Sequence, residues 1–131
     1  MSRIGVVLAV MLCAPSGYAS PQAADEIQIE MTEFAFRPAV VRLTAGRPVR
    51  LTLINQGQIA HQLEAAYLYR TPARVIGGPL FAEVNGLEFL RVQPGMRASM
   101  AFVPTRRGQF SFACTIEGHT EAGMRGVLDI R

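Results

Sequence analysis

The sequence has few of the residues that build many common binding and catalytic sites. Its 131 residues include two cysteines, two histidines and no tryptophan, and all thirteen basic residues are arginine. Two cysteines allow one disulfide at most, which excludes a disulfide-rich scaffold. The formal net charge is only +3 and the arginines are scattered along the chain, so the sequence also lacks the basic cluster of a nucleic-acid-binding surface.

The only long apolar stretch lies at the N-terminus, where residues 1–19 have the features of a secretory signal peptide. Arg3 provides a positive charge, residues 4–12 are apolar but too few to cross a bilayer, and small residues precede a cleavage point after Ala19. We therefore expect cleavage of this segment and export to a bacterial periplasm. The processed chain, residues 20–131, is then expected to form a single domain without a membrane span.

Cleavage would leave Cys114 as the only cysteine of the processed chain. Cys13 lies inside the signal, and Leu12 before it is not the small residue that a lipoprotein signal needs, so we expect no lipid anchor. An unpaired thiol in an oxidising compartment is a liability unless it is buried, bound to a metal or catalytic. A structural zinc site is excluded, because it would need more Cys or His ligands.

From residue 26 onward, apolar and polar residues alternate in short runs that are separated by turn sequences containing glycine or proline. A period of two is typical of half-buried strands. Several short strands in roughly 100 residues, with little helical periodicity, predict an all-β sandwich. The clearest strand patterns lie at residues 27–31, 39–44, 49–53, 109–114 and 128–130.

Residues 66–92 fit this pattern less well, because they contain Pro72, the Gly77-Gly78-Pro79 sequence and Gly86. We predict an inserted loop region with a helical turn and a short strand near residues 87–92. Such an insertion could cover an edge of the sandwich or provide a surface for docking a partner.

A thiol, an imidazole and a thioether are gathered near the C-terminus, where Cys114, His119 and Met124 follow one another at five-residue steps. Cys114 has the same strand parity as two phenylalanines of the preceding run, so its side chain should point into the core. Gly118 and Gly123 can supply backbone conformations that other residues resist. One loop can therefore fold these three donors around a common point.

His61 completes a candidate metal-binding set. It follows a predicted strand and a polar turn, and a strand end can approach a loop at the same end of a sandwich. Two imidazoles, a thiolate and a weak thioether are the ligand set of a blue-copper electron-transfer site.

At these residues the sequence resembles the cupredoxins. The segments NQGQIAH and CTIEGHTEAGMRG are similar to the two ligand-bearing stretches of that family, and the likeness covers most of residues 26–131. It implies a Greek-key β-sandwich that binds one copper ion, cycling between Cu(I) and Cu(II), through His61, Cys114 and His119, with Met124 as axial ligand. The spacing of the loop is closer to that of azurin- and rusticyanin-like members than to that of plastocyanins. Gln62 departs from the pattern, since many members have an asparagine there that ties the two ligand loops together.

The resemblance implies an electron carrier, not an enzyme, that acts as a monomer and exchanges electrons with redox partner proteins such as a cytochrome or an oxidase. His119 is expected to reach the surface, with partners docking near Gly57, Ile59, Ala60 and Ala122. The main alternative is copper tolerance or delivery to a copper acceptor. A more remote one is an enzyme with Cys114 as nucleophile and a histidine as base.

Overall fold

The computed structural model describes residues 22–77 and 80–131, without the side chains of residues 80 and 81. The predicted signal peptide, residues 1–19, lies outside these ranges. The described residues contain eleven strands and one 3₁₀ helix, Ala66–Arg70. The strands are β1 Asp25–Thr32, β2 Ala35–Arg37, β3 Val40–Leu43, β4 Val49–Asn55, β5 His61–Glu64, β6 Ala73–Gly77, β7 Leu80–Val84, β8 Phe89–Val92, β9 Arg97–Phe102, β10 Gly108–Ala113 and β11 Arg125–Ile130.

The strands form two sheets that enclose one hydrophobic core. The first sheet has the order β2-β1-β4-β9-β6-β7, and the second has the order β3-β11-β10-β5-β8. Both sheets mix parallel and antiparallel pairs, since β1 runs parallel to β4 and β3 runs parallel to β11. Buried side chains from both sheets belong to the same core cluster. The predicted all-β sandwich is confirmed.

The alternation in the sequence corresponds to the burial of alternate side chains. In β4, Val49, Leu51 and Leu53 are buried, while the residues between them are exposed or partly exposed. Removing such a side chain from water contributes about 1.5–3 kcal/mol, which is why the register of the strand is well determined. The same inward face of β4 ends in a polar residue, Asn55, which is also buried.

Residues 66–92 contain more regular structure than the sequence indicates. The predicted helical turn is present at Ala66–Arg70 and the predicted short strand at Phe89–Val92, but β6 and β7 were not expected. These two strands extend the first sheet beyond β9, and β8 forms an edge of the second sheet. The region therefore supplies one edge strand to each sheet. Its glycines and prolines conceal the alternation that marks the other strands.

Three connections meet at one end of the sandwich. The β4–β5 connection leads to His61, the β10–β11 connection carries His119, and the tight β1–β2 turn contains Glu33 and Phe34. Contacts between His61 and His119, and between Phe34 and His119, bring these connections together. We call this region the His119 end.

Gly126 in β11 has no room for a side chain, because a Cβ atom there would overlap the Phe112 ring and lie 2.6 Å from the carbonyl oxygen of Ala39. Overpacking of a core usually costs about 1–3 kcal/mol. We therefore expect Gly126→Ala to lower the free energy of unfolding by that amount in urea titrations.

Gly77→Ala is the matched control, since the nearest atom to its Cβ would be that of Ala98 at 3.6 Å, an ordinary contact. It should leave the stability unchanged or raise it by about 0.4–1 kcal/mol. Equal stability of the two variants would contradict the tight packing at Gly126.

Candidate metal centre

Three potential ligand atoms converge at the His119 end. His61 is the first residue of β5, Cys114 directly follows β10, and His119 lies in the loop before β11. The Nδ1 atoms of the two histidines are 3.3 Å apart, and Sγ of Cys114 lies 3.3 Å from Nδ1 of His119. All three side chains are buried. Within residues 22–77 and 80–131, this is the one group of His, Cys, Asp and Glu side chains arranged to hold a metal ion.

The three donor atoms are arranged to bind one cation and cannot satisfy one another completely by hydrogen bonding. Nδ1 of His119 faces a nitrogen on one side and a sulfur on the other at the same distance, and one ring nitrogen cannot complement both neighbours with a single proton. Nitrogen and sulfur ligands typically lie about 2.0–2.3 Å from a bound metal ion such as zinc. Donors separated by 3.3 Å can therefore bind the same ion.

The net effect of the environment is to favour the neutral form of the His61 imidazole. Burial is the main cause that lowers the pKa of His61, and the neighbouring His119 lowers it further. A neutral imidazole retains the lone pair that a metal ligand needs. Cys114 is a free, fully buried cysteine, as expected for a thiol that has no disulfide partner.

The loop between Cys114 and Met124 is held by its own backbone. The Cys114 N–H donates to the carbonyl of Met124 at 3.0 Å, and the Met124 N–H donates to the carbonyl of His119 at 3.0 Å. Gly118 and Gly123 have φ of 80° and 97°, so both adopt the left-handed conformation that the sequence predicts for this loop. The fully buried Met124 is thereby linked to both neighbouring candidate ligands through the main chain. Its role as an axial ligand stays a prediction.

Gln62 ties the two ligand-bearing segments together, although it replaces the asparagine of the family pattern. Its backbone N–H donates to Sγ of Cys114 at 3.4 Å. Its side-chain amide donates to the Thr115 hydroxyl at 2.7 Å, and its carbonyl oxygen accepts a hydrogen bond from Arg91 at 2.8 Å. The longer side chain of glutamine therefore makes a connection of the kind that the resemblance assigns to asparagine.

Asn55 shapes the turn that leads to His61. Its side-chain amide donates to the carbonyls of Ile59 at 2.8 Å and Val92 at 2.9 Å, and its Oδ1 accepts from the Gly57 N–H at 2.9 Å. One buried side chain thus replaces several backbone hydrogen bonds that a turn of this shape cannot make internally. Residues of this kind around a metal site orient its ligands.

The β1–β2 turn covers the two histidines. The sequence analysis did not predict this contact. Oε1 of Glu33 lies 3.6 Å from Nε2 of His61, and the Phe34 ring packs edge-on against the His119 ring with 5.2 Å between centroids. Phe34 has a φ of 65°, which is unusual for a bulky residue and typical of functional sites. His119 is consequently only 6% exposed, whereas the sequence suggested that its ring edge reaches the surface. Nothing in the local pattern links this turn to a loop more than eighty residues away.

We expect Asn55→Ala to disrupt the turn before His61. Leaving buried backbone groups without partners typically costs about 1–3 kcal/mol, and loss of a residue that orients metal ligands typically weakens metal binding about 10–100-fold. Urea unfolding of the metal-free protein and competitive copper titration measure the two effects. Asn85→Ala, at an exposed turn position, is the control. Equal copper affinity in the two variants would show that Asn55 does not position the site.

The comparisons with known proteins agree with this geometry. The cupredoxin-like domain family matches residues 4–128. The copper-resistant cuproprotein CopI of Rubrivivax gelatinosus is 27% identical over 113 residues, which cover 84% of this chain and 68% of that protein. The protein of the same name from Pseudomonas aeruginosa is 25% identical over 141 residues, covering 84% of this chain and 78% of that one.

Solved structures share the fold. Auracyanin B superposes with a TM-score of 0.61 at 20% identity, over 88% of this chain and 95% of the auracyanin chain. A multicopper oxidase from Pseudomonas thermotolerans gives a TM-score of 0.68 at 15% identity, over 89% of this chain and 32% of the oxidase chain. No helix among the described residues is long and apolar enough to cross a membrane.

The family match, the copper-protein relatives and the buried His-Cys-His group together identify the chain as a copper-binding member of the cupredoxin-like domain family.

Proposed function

We propose that this protein is an exported, monomeric electron carrier that exchanges single electrons with redox partner proteins. The proposed copper ligands are His61, Cys114 and His119, with Met124 as a weak axial ligand. The observation that carries the proposal is the convergence of three buried donor atoms, held by hydrogen bonds, at one end of the sandwich. Export is supported by the signal-like sequence of residues 1–19.

When bound, copper supplies a one-electron couple between Cu(II) and Cu(I). Cys114 contributes a soft thiolate, which favours Cu(I), while the two imidazoles accept either oxidation state. The thioether of Met124 is neutral and weak, and a ligand of that kind adjusts the potential more than it holds the metal.

The protein around the donors opposes rearrangement. Gln62 binds the Cys114 side of the site, Asn55 fixes the turn before His61, and the Cys114–Met124 loop is closed by backbone hydrogen bonds. Donors that keep their positions in both oxidation states need little reorganisation when an electron arrives or leaves. That property suits an electron carrier.

An enzymatic function is less well supported by the surroundings of the site. Cys114 and His119 are within hydrogen-bond reach, as a nucleophile and its base would be. However, Sγ belongs to a fully buried residue, and two surface cavities of about 430 Å³ and 570 Å³ are lined by residues other than the proposed ligands. Neither of these two cavities therefore gives a substrate an approach to the thiol.

Copper tolerance or copper delivery is the second candidate function. It is favoured by the two relatives that are described as copper-resistant cuproproteins. A tolerance protein would hold or transfer copper, whereas a carrier would keep its copper and pass on electrons. The two functions therefore differ in whether the protein gives up an electron or the copper ion.

The ligand set can be tested by comparing two substitutions. Cys114→Ser removes the thiolate and should abolish the intense visible absorption of the copper(II)-loaded protein, because that absorption comes from thiolate-to-copper charge transfer. Met124→Leu removes only the weak donor, so it should retain the absorption and raise the reduction potential, while Met124→Gln should lower it. A visible band that survives Cys114→Ser would refute the ligand assignment, and an unchanged potential in both Met124 variants would remove Met124 from it.

The function can be tested by measuring electron self-exchange and copper release on the same sample. We expect fast exchange between oxidised and reduced protein and no transfer of Cu(I) to a copper-free acceptor. Slow exchange together with rapid copper transfer would instead establish delivery.

The proposed docking surface at the His119 end is tested with a matched pair of substitutions. Ile59 and Val103 are 43% and 42% exposed, and Val103 follows the end of β9 that pairs with the start of β4, away from Asn55. Ile59→Asp should slow electron transfer to a partner cytochrome and leave the spectrum unchanged, whereas Val103→Asp should change neither. Equal rates in the two variants would place docking elsewhere, with residues 66–92 the next surface to test.

A further inference from the structure

One polar atom beside the proposed copper ligands has no hydrogen-bond partner. Nε2 of His61 is buried and makes no hydrogen bond to the described residues. The charged group facing it is the carboxylate of Glu33, whose Oε1 lies 3.6 Å away. That separation exceeds a hydrogen bond, so the two groups interact through charge and dipole.

The Glu33 carboxylate is held in this position by the turn before His61. Its Oε1 accepts hydrogen bonds from the backbone N–H groups of Gln58 and Ile59. The ordinary pKa of a glutamate side chain lies well below 7, so Glu33 is a carboxylate at neutral pH, and both N–H donors favour this charged form. The negative charge therefore has a fixed place next to the imidazole.

Gly57 makes this approach possible. A Cβ atom on residue 57 would overlap Oε1 of Glu33 and would lie 3.0 Å from Nε2 of His61. Any other residue at position 57 would therefore push the carboxylate away from the imidazole. Glycine is required here for the close approach of two side chains.

We propose that Glu33 is a positioning residue for the copper site that acts through His61. Its carboxylate favours the tautomer with hydrogen on Nε2, which directs the lone pair of Nδ1 toward Cys114 and His119. A carboxylate behind a ligating histidine also makes the imidazole a stronger donor. The inference rests on the proposed role of His61 as a ligand.

The added negative charge stabilises Cu(II) more than Cu(I), because the higher charge of the ion interacts more strongly with it. Glu33 therefore lowers the reduction potential of the site. The Glu33 side chain is 39% exposed, so solvent screens part of the effect. We expect a change of about tenfold in the Cu(I)-to-Cu(II) ratio at a fixed potential, which corresponds to about 59 mV for one electron.

The test is the reduction potential of the copper-loaded Glu33→Gln variant. Glutamine retains an acceptor oxygen for the N–H groups of Gln58 and Ile59 but carries no charge, so the turn is preserved while the charge is lost. Glu121→Gln is the matched control, because Glu121 is an exposed carboxylate on the ligand loop with no hydrogen bond or ion pair to the described residues. We expect the potential of Glu33→Gln to lie above that of the control by about 59 mV, the equivalent of that tenfold change.

Gly57→Ala provides a second variant that keeps the charge and displaces it. The reduction potential of Gly57→Ala should also rise. If Glu33→Gln does not fold, the potential of Gly57→Ala alone tests the proposal. Potentials of both variants equal to that of Glu121→Gln would overturn the proposal and leave Glu33 only a structural role in the turn. His61→Ala tests the underlying assignment separately, because a visible spectrum unchanged by that substitution would remove His61 from the ligand set whatever Glu33 does.

Discussion

The main physical constraint on the His119 end is that three electron-pair donors, from His61, Cys114 and His119, lie close together in the protein interior. Two imidazole nitrogens and a thiol sulfur that face one another in a buried site lose hydration and gain no complete set of hydrogen bonds in exchange. A bound cation relieves this cost, and without the cation the surrounding structure must bear it. The hydrogen bonds around the site are therefore best understood as the means by which the fold keeps these donors together.

These supporting interactions come from parts of the chain that are far apart in sequence. Asn55 at the end of β4 fixes the turn before His61, and Gln62 connects β5 to the residue after Cys114. The β1–β2 turn then covers both histidines, with Glu33 beside His61 and Phe34 against His119. Each connection relies on the sandwich to bring the strand ends to the same place, so the precision of the site is a property of the whole fold.

The covered position of His119 affects how electrons or copper would leave the site. His119 is only 6% exposed, whereas Phe34 and Ile59 are 41% and 43% exposed, so these two residues form more of the outer surface at this end than His119 does. In the proposed electron carrier, this apolar surface would let a partner protein dock while keeping water and free ligands away from the copper. Electron exchange needs only such proximity, whereas release of copper needs the covering residues to move.

The sequence by itself determined the fold class and named His61, Cys114 and His119, the three residues that the fold brings together. Alternation in strands such as β4 reports burial directly, and the spacing of Cys114, His119 and Met124 is enough to mark their loop as a candidate metal site. Glycine and proline interrupt the alternation of apolar and polar residues around β6 and β7, so the sequence did not reveal these strands. Pairing of β6 with β9 stabilises them in the fold, and such pairing leaves little local signal in the sequence. Only the tertiary structure decided that Glu33 and Phe34 cover the histidines, that Gln62 reaches Thr115, and that His119 is buried. Those contacts join residues 28 to 85 positions apart in the chain. Periodicity carries information about neighbours in a strand but none about which strand ends meet.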